Sequence, residues 1–244
     1  MTRLAAALAA LALGATTAAA GPIPADATQL ITGVTADWTS SAVTLQRWVR
    51  RDGRWVADGA SWRGVIGHTG AAWGRGLHGD GAPDHRDGPV KREGDGKSPA
   101  GVFAVRGAYG YAAQPPPHTR LAYTQSTAAW QCVDDPASRH YTQIVDRATL
   151  APDWTSAEAM RRRDALYTWV IDIAHNPGAR PGAGSCIFFH VWRDAQTGTV
   201  GCTAMPRPAI ARLIAELDPS AIYVLLPHAE YAALAGAWDL PAAK

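Results

Sequence analysis

After its first twenty residues the chain contains no apolar run of membrane-spanning length. It has no internal repeat and no extended low-complexity segment. No basic cluster is longer than Arg161-Arg162-Arg163, and 23 Lys and Arg against 21 Asp and Glu leave a formal charge of only +2. Nucleic acid is therefore disfavoured as a partner, because phosphate binding needs a concentrated basic surface. A phosphate-cradling loop is absent too. Residues 91–103 hold two Gly-containing turns, but no Gly-Lys-Ser/Thr stands at P-loop spacing and a strand, not a helix, follows. Cysteine is scarce: Cys132, Cys186 and Cys202 are the only three.

What is present begins with the layout of an export signal over residues 1–20. Arg3 supplies the positive n-region, residues 4–13 the apolar stretch, and Ala18-Ala19-Ala20 a small-residue cleavage site. No Cys follows, which argues against a lipid anchor. The expected product is exported to the periplasm or cell wall, without membrane insertion after cleavage. An odd number of cysteines in an exported chain points to one disulfide and one free thiol. If Cys202 is the free one, Cys132 pairs with Cys186. The remaining length suits one large domain; we expect a flexible leader over residues 21–30 and a single domain over 31–244.

That domain reads mostly as strands. Val43, Leu45 and Arg47 alternate with Thr44, Gln46 and Trp48, Asp52-Gly53 is a favoured hairpin turn, and Arg54-Trp55-Val56 returns. Further short strands are expected at 62–66, 102–105, 121–124, 131–133, 141–145 and 221–226. Tyr167, Trp169, Ile171 and Ile173 alternate in a central strand that leads to His175. Residues 67–97, rich in Gly and Asp, read as a long surface loop. His78, Asp80, Asp84 and His85 are metal-ligand types, but as turn-forming loop residues they predict no metal site. Thr155 with Glu158 three residues on is a capping box, predicting a helix over 156–163. Ile210, Leu213, Ile214 and Leu217 follow Pro208 at helical spacing. The sum is a mainly β, β-rich α+β domain.

The chemistry concentrates in residues 184–206. Strand periodicity puts Cys186, Phe188, His190 and Trp192 on one face and Ile187, Phe189 and Val191 on the other. A turn over 194–198 is expected to return the chain as a hairpin, laying Cys202 beside His190. A free thiol with a pKa near ~8.5 is mostly protonated at neutral pH, and a neighbouring imidazole can take the proton. Gly201 leaves room for close substrate approach, and N–H groups around Cys202 suit an oxyanion. The next helix starts too far from the thiol for its dipole to act. A zinc site of Cys186, His190 and Cys202, with His175, has suitable ligand types, but its spacings match no familiar zinc pattern. No metal and no cofactor are expected.

In an exported chain, Glu93-Gly94-Asp95-Gly96-x-Ser98-Pro99-x-Gly101-x-Phe103, then Phe189-His190 and Thr199-x-Gly201-Cys202, together resemble the L,D-transpeptidase catalytic domain of bacterial cell-wall enzymes. The resemblance runs over residues 31–226. It implies an L,D-transpeptidase-like β-sandwich with a few short helices and a catalytic Cys in a groove. It further implies attack of the thiolate on the diaminopimelate carbonyl of a peptidoglycan stem peptide, release of the terminal D-alanine, and acyl transfer to an amine. Carried over, Cys202 is the nucleophile and His190 the general base and acid. Gly201, Thr199 and Thr203 take substrate or oxyanion positions, and His175 is either a groove residue or a histidine at the edge of the core. Most members have His before the Gly and Arg two residues after the Cys, where this chain has Val200 and Ala204; Arg193 and Arg207 are the candidates for the missing guanidinium. The alternatives are an L,D-carboxypeptidase or other cell-wall thiol peptidase or amidase, a sortase-like enzyme, which would lack the Glu93-Gly94-Asp95-Gly96 turn, and a non-catalytic wall-binding module using some of the ten tryptophans. Peptidoglycan stem peptides are the expected partners, and the residues point to no protein partner.

Overall fold

The residues expected to form a flexible leader instead begin the core. A computed structural model of the chain describes residues 21–242, so the signal expected over 1–20 lies outside the described residues. Ile23 and Ala27 are buried, and β1 (Gln29–Thr35) starts inside the leader with Leu30 and Ile31 fully enclosed. There follow β2 (Ala42–Arg51), β3 (Arg54–Ala57), β4 (Trp62–Val65), β5 (Ala71–Trp73), β6 (Arg75–Gly76), β7 (Gly79–Asp80) and the long β8 (Ser98–Gly110). The second half contributes β9 (Tyr123–Gln125), β10 (Trp130–Val133), β11 (Ile144–Asp146), β12 (Ala157–Ala159), β13 (Trp169–Ile173), β14 (Phe188–Val191), β15 (Thr203–Met205) and β16 (Ile222–Pro227). The two helices among the described residues are α1 (Arg207–Glu216), as its spacing predicts, and α2 (His228–Leu234).

The domain is mainly β, but its strands do not form the expected sandwich. Pairing runs β1, β16, β8, β13, β14, β15, β4, β2 and returns to β1, so the sheet closes into an eight-stranded barrel. β1 makes the closure: it pairs in parallel with β16 and antiparallel with β2, removing two sheet edges that would otherwise need cover. The β2–β3 hairpin forms as its turn predicts, with Asp52 and Gly53 both at positive φ, 49° and 74°. Leu30, Leu45, Phe103, Ile171, Phe189 and Leu225 belong to the main core.

Two further expectations are corrected. Residues 67–97 are not all surface loop, since Ala71, Ala72 and Trp73 of β5 are fully buried beside β8. His78 packs against Trp73, Phe103 and Trp238, while Asp80 pairs with Arg75 and Arg180. The His78 ring lies where a Cβ on Gly101 would project, 2.0 Å from its Cε1, and Gly101 has a φ of 133°. Only glycine fits there. The helix expected over 156–163 is a strand instead. The Asp135 carboxylate accepts the Thr155 N–H and hydroxyl at 2.7 and 2.8 Å, so Thr155 caps nothing, and Glu158 joins β12 opposite Cys132.

β11, β10 and β12 form a small separate sheet on the outer face of the barrel. Its contact is a second apolar cluster of Cys132, Met160, Tyr167, Val170, Phe188 and Cys202. A disulfide between Cys132 and Cys186, 54 residues apart, ties this sheet to the chain entering β14, and Cys202 is left free. Cross-linking a loop of that length removes denatured-state entropy worth about 4 kcal/mol. Replacing both Cys132 and Cys186 with Ser is accordingly expected to lower the urea midpoint of unfolding, with a similar loss when the wild type is melted under a thiol reductant.

Candidate active site

β14 carries the faces its alternation predicts. Ile187, Phe189 and Val191 enter the barrel core, while Phe188 faces the outer cluster with Tyr167 and Cys202. The expected hairpin is absent, however: β15 runs parallel to β14, with Phe189 opposite Thr203 and His190 opposite Ala204. Residues 192–202 are therefore a crossover, as parallel neighbours require. Asp194 does make a tight turn, accepting the N–H groups of Gln196 and Thr197 at 2.8 and 2.6 Å. The chain then docks on β4's exit instead of folding onto β14: the His68 and Gly67 region binds Thr199, with His68 N–H donating to the Thr199 carbonyl at 2.7 Å.

The turn holding Cys202 is braced from two sides. The Ser98 hydroxyl is shared between the Gly201 and Cys202 carbonyls at 2.6 and 3.0 Å and accepts the Gly67 N–H at 2.9 Å. Thr199 donates its hydroxyl to the Cys202 carbonyl at 2.6 Å and accepts the Gly201 N–H at 3.1 Å. That N–H is thus not available to an oxyanion, and Thr199 is a brace. The Asp95 carboxylate gathers the Arg92 and Lys97 N–H groups and the Lys91 ammonium, while Glu93 accepts the hydroxyls of Ser185 and Tyr141. The Glu93-to-Gly101 motif is the scaffold under the thiol. Ser98→Ala leaves buried partners unsatisfied, at about 1–3 kcal/mol; a lowered midpoint in a urea titration checks it.

Cys202 is 4% exposed and lines two adjoining chambers. The larger, about 260 Å³, also meets His190, Tyr167, Glu158, Arg162 and Arg193; the smaller, about 110 Å³, meets Lys91, Glu93, Asp134 and Cys186. Val200, 76% exposed, borders both. A cavity of about 380 Å³ between β1, β2 and α2 is larger, but it contains no thiol or carboxylate. The Cys202 sulfur accepts the Phe188 N–H at 3.3 Å and its S–H points to the Cys186 carbonyl at 3.4 Å. His190 shares the larger chamber without a direct hydrogen bond to the thiol. Its Nδ1–H donates to the Val191 carbonyl at 2.8 Å, which leaves Nε2 as the proton acceptor. Its ring stands edge-on to Tyr167 at 5.2 Å.

Burial keeps this couple uncharged. It pushes the Cys202 thiol up to about 12, with the Glu158 carboxylate adding to the rise and the Phe188 N–H and Tyr167 hydroxyl opposing it. It pulls His190 down to about 4. Glu158, also raised by burial, is held back by Tyr167, whose hydroxyl donates to it at 2.6 Å, and by Arg162 at 3.2 Å.

The remaining expected residues divide. Arg193 lines the larger chamber, but Arg207 sits exposed at the start of α1 and does not. Thr203 points into the barrel and bonds Tyr223 at 2.9 Å; with Cys202 facing outward, alternation sends its neighbour inward. His175 lines neither chamber. It is buried, with Nε2 3.0 Å from the Ala183 carbonyl and Nδ1 accepting the Arg75 N–H at 3.3 Å, and burial lowers it to about 3. The reading from sequence missed Tyr167, Glu158 and Arg162 as neighbours of the thiol.

No protein-family profile matches the chain, and no curated protein is similar to it. Among solved structures, the helical cell shape determining protein Pgp2 from Campylobacter jejuni aligns over 82% of this chain and 48% of its own, at 12% identity and a TM-score of 0.38. This chain spans about half the length of that protein.

Proposed function

We propose that the protein is a cysteine acyltransferase of the L,D-transpeptidase kind, exported to the cell wall, with Cys202 as nucleophile and His190 as general base and acid. The observation that supports it is the single free thiol among the described residues, on a braced turn, opening onto a chamber it shares with an imidazole whose Nδ1 is already engaged. In this reading the thiol attacks the diaminopimelate carbonyl of a stem peptide while His190 Nε2 takes its proton. The thioester forms as the bond to D-alanine breaks, and His190 returns the proton to the leaving amine. An incoming amine then attacks the thioester and regenerates the thiol. Arg193, free of any ion pair among the described residues, supplies the guanidinium for a substrate carboxylate.

The test is intact-mass analysis after incubation with tetrapeptide stems containing diaminopimelate. An acyl adduct on the wild type, absent from Cys202→Ala, is the expected result, and the released products separate transfer from hydrolysis. Neither adduct nor product from the wild type overturns the reading.

A further inference from the structure

Glu158 lines both chambers beside Cys202, yet its hydrogen bonds use only half of its carboxylate. Tyr167 and Arg162 both donate to Oε1, and no protein donor reaches Oε2 among the described residues. Cys132 lies opposite Glu158 in the β10–β12 ladder, and Asp134 is two residues beyond Cys132, so all three share the face turned toward the thiol. Asp134 lines the smaller chamber, and its Oδ1 is buried without a partner. Leaving the Asp134 acceptor unsatisfied costs free energy, and the Asp134 charge disfavours a second charge on Glu158. The Lys91 ammonium in the smaller chamber spends two of its three donors on Asp95 at 2.5 Å and the Arg92 carbonyl at 2.6 Å, and makes no hydrogen bond to either carboxylate among the described residues.

We propose that Glu158, with Asp134 beside it, determines specificity by binding a primary ammonium group of the substrate, while Arg193 takes a carboxylate at the same end. The inference deepens the proposed stem-peptide activity and rests on it. An ammonium has three N–H donors and a full charge, enough to fill Glu158 Oε2 and Asp134 Oδ1 together. An acetylated amine keeps one N–H and no charge, so it cannot fill both acceptors. A purely structural Glu158, bracing Tyr167 and Arg162, would need Oε1 alone. The ammonium has two possible sources with the same chemistry, the side chain of the acyl donor or the incoming acceptor.

The experiment separates them. The Cys202→Ala protein, which binds without turnover, is titrated calorimetrically with a tetrapeptide stem bearing a free side-chain amine and with the same stem acetylated there. For the donor source, acetylation weakens binding at least tenfold, and adding Glu158→Gln abolishes the difference. For the acceptor source, both stems bind alike, and Glu158→Gln in the active protein shifts products from amine transfer to hydrolysis at least tenfold. Asp134→Asn should move the same readouts in the same direction, which covers a Glu158→Gln protein that does not fold. Equal binding of both stems with unchanged product partition overturns the proposal and leaves the proposed function standing. Failure of the free-amine stem both to bind and to react overturns both.

Discussion

Cys202→Ala is expected to abolish covalent capture of substrate and of β-lactams of the carbapenem type, with no residual adduct in the intact mass. No second thiol can substitute, because Cys132 and Cys186 are joined to each other. The change is lost chemistry more than lost fold, since the sulfur gives up two long contacts, from the Phe188 N–H at 3.3 Å and to the Cys186 carbonyl at 3.4 Å, and little packing volume. The resting thiol also sets a condition on the mechanism. With burial pushing its pKa to about 12, the thiol is overwhelmingly protonated at pH 7. Attack therefore requires the proton to leave as the carbon–sulfur bond forms, or substrate to change the chamber first. A β-lactam adduct retained on Cys202→Ala would sink the nucleophile assignment.

What could be read before folding, and what could not, follows from how local each signal is. The faces of β14 were legible because period two depends only on neighbouring residues, and the Asp52-Gly53 turn because its positive φ values are a property of two side chains. The disulfide followed from counting, once one thiol was reserved for chemistry. The parallel pairing of β14 and β15 was not legible. Asp194 makes the kind of tight turn a hairpin uses, and only the distant partners of Thr199 and Cys202, namely His68 and Ser98, decide that the chain crosses over instead. β1 was hidden by the Pro and Ala composition ahead of it, although its pairing with both β2 and β16 converts an expected sandwich into a barrel.

Glu158 shows the same limit within the site. Thr155 and Glu158 have the spacing of a capping box, and nothing local distinguishes that from a strand whose Glu is claimed by Tyr167 and Arg162. Here tertiary partners outweigh the local preference. Thr203 was the avoidable error. Once Cys202 is placed facing the site, alternation already directs the next side chain into the barrel, where its hydroxyl meets Tyr223.

His190→Ala is expected to lower turnover by a factor on the order of 10² to 10⁴, the usual cost of losing a positioned general base. Near wild-type turnover would exclude that role. The substitution also removes the ring standing edge-on to Tyr167, so thermal midpoints of both proteins must accompany the kinetics. Acid titration isolates the imidazole. Burial lowers its folded pKa to about 4 against about 6.5 in the unfolded chain, so the unfolded state takes up the proton first as pH falls. The stability held by the neutral ring is fully present above about pH 6.5 and is lost as pH falls toward 4, up to about 3 kcal/mol. His175, lowered to about 3, adds an acid-sensitive loss common to both proteins. The wild type should therefore lose more stability than His190→Ala between pH 6.5 and 4 in urea titrations. Its kcat/KM should stay level from neutrality down past the ordinary histidine range, because the base remains unprotonated there. An acid limb at an ordinary histidine pKa would mean that the imidazole is solvated during the proposed turnover, and that substrate opens the chamber before the proton moves.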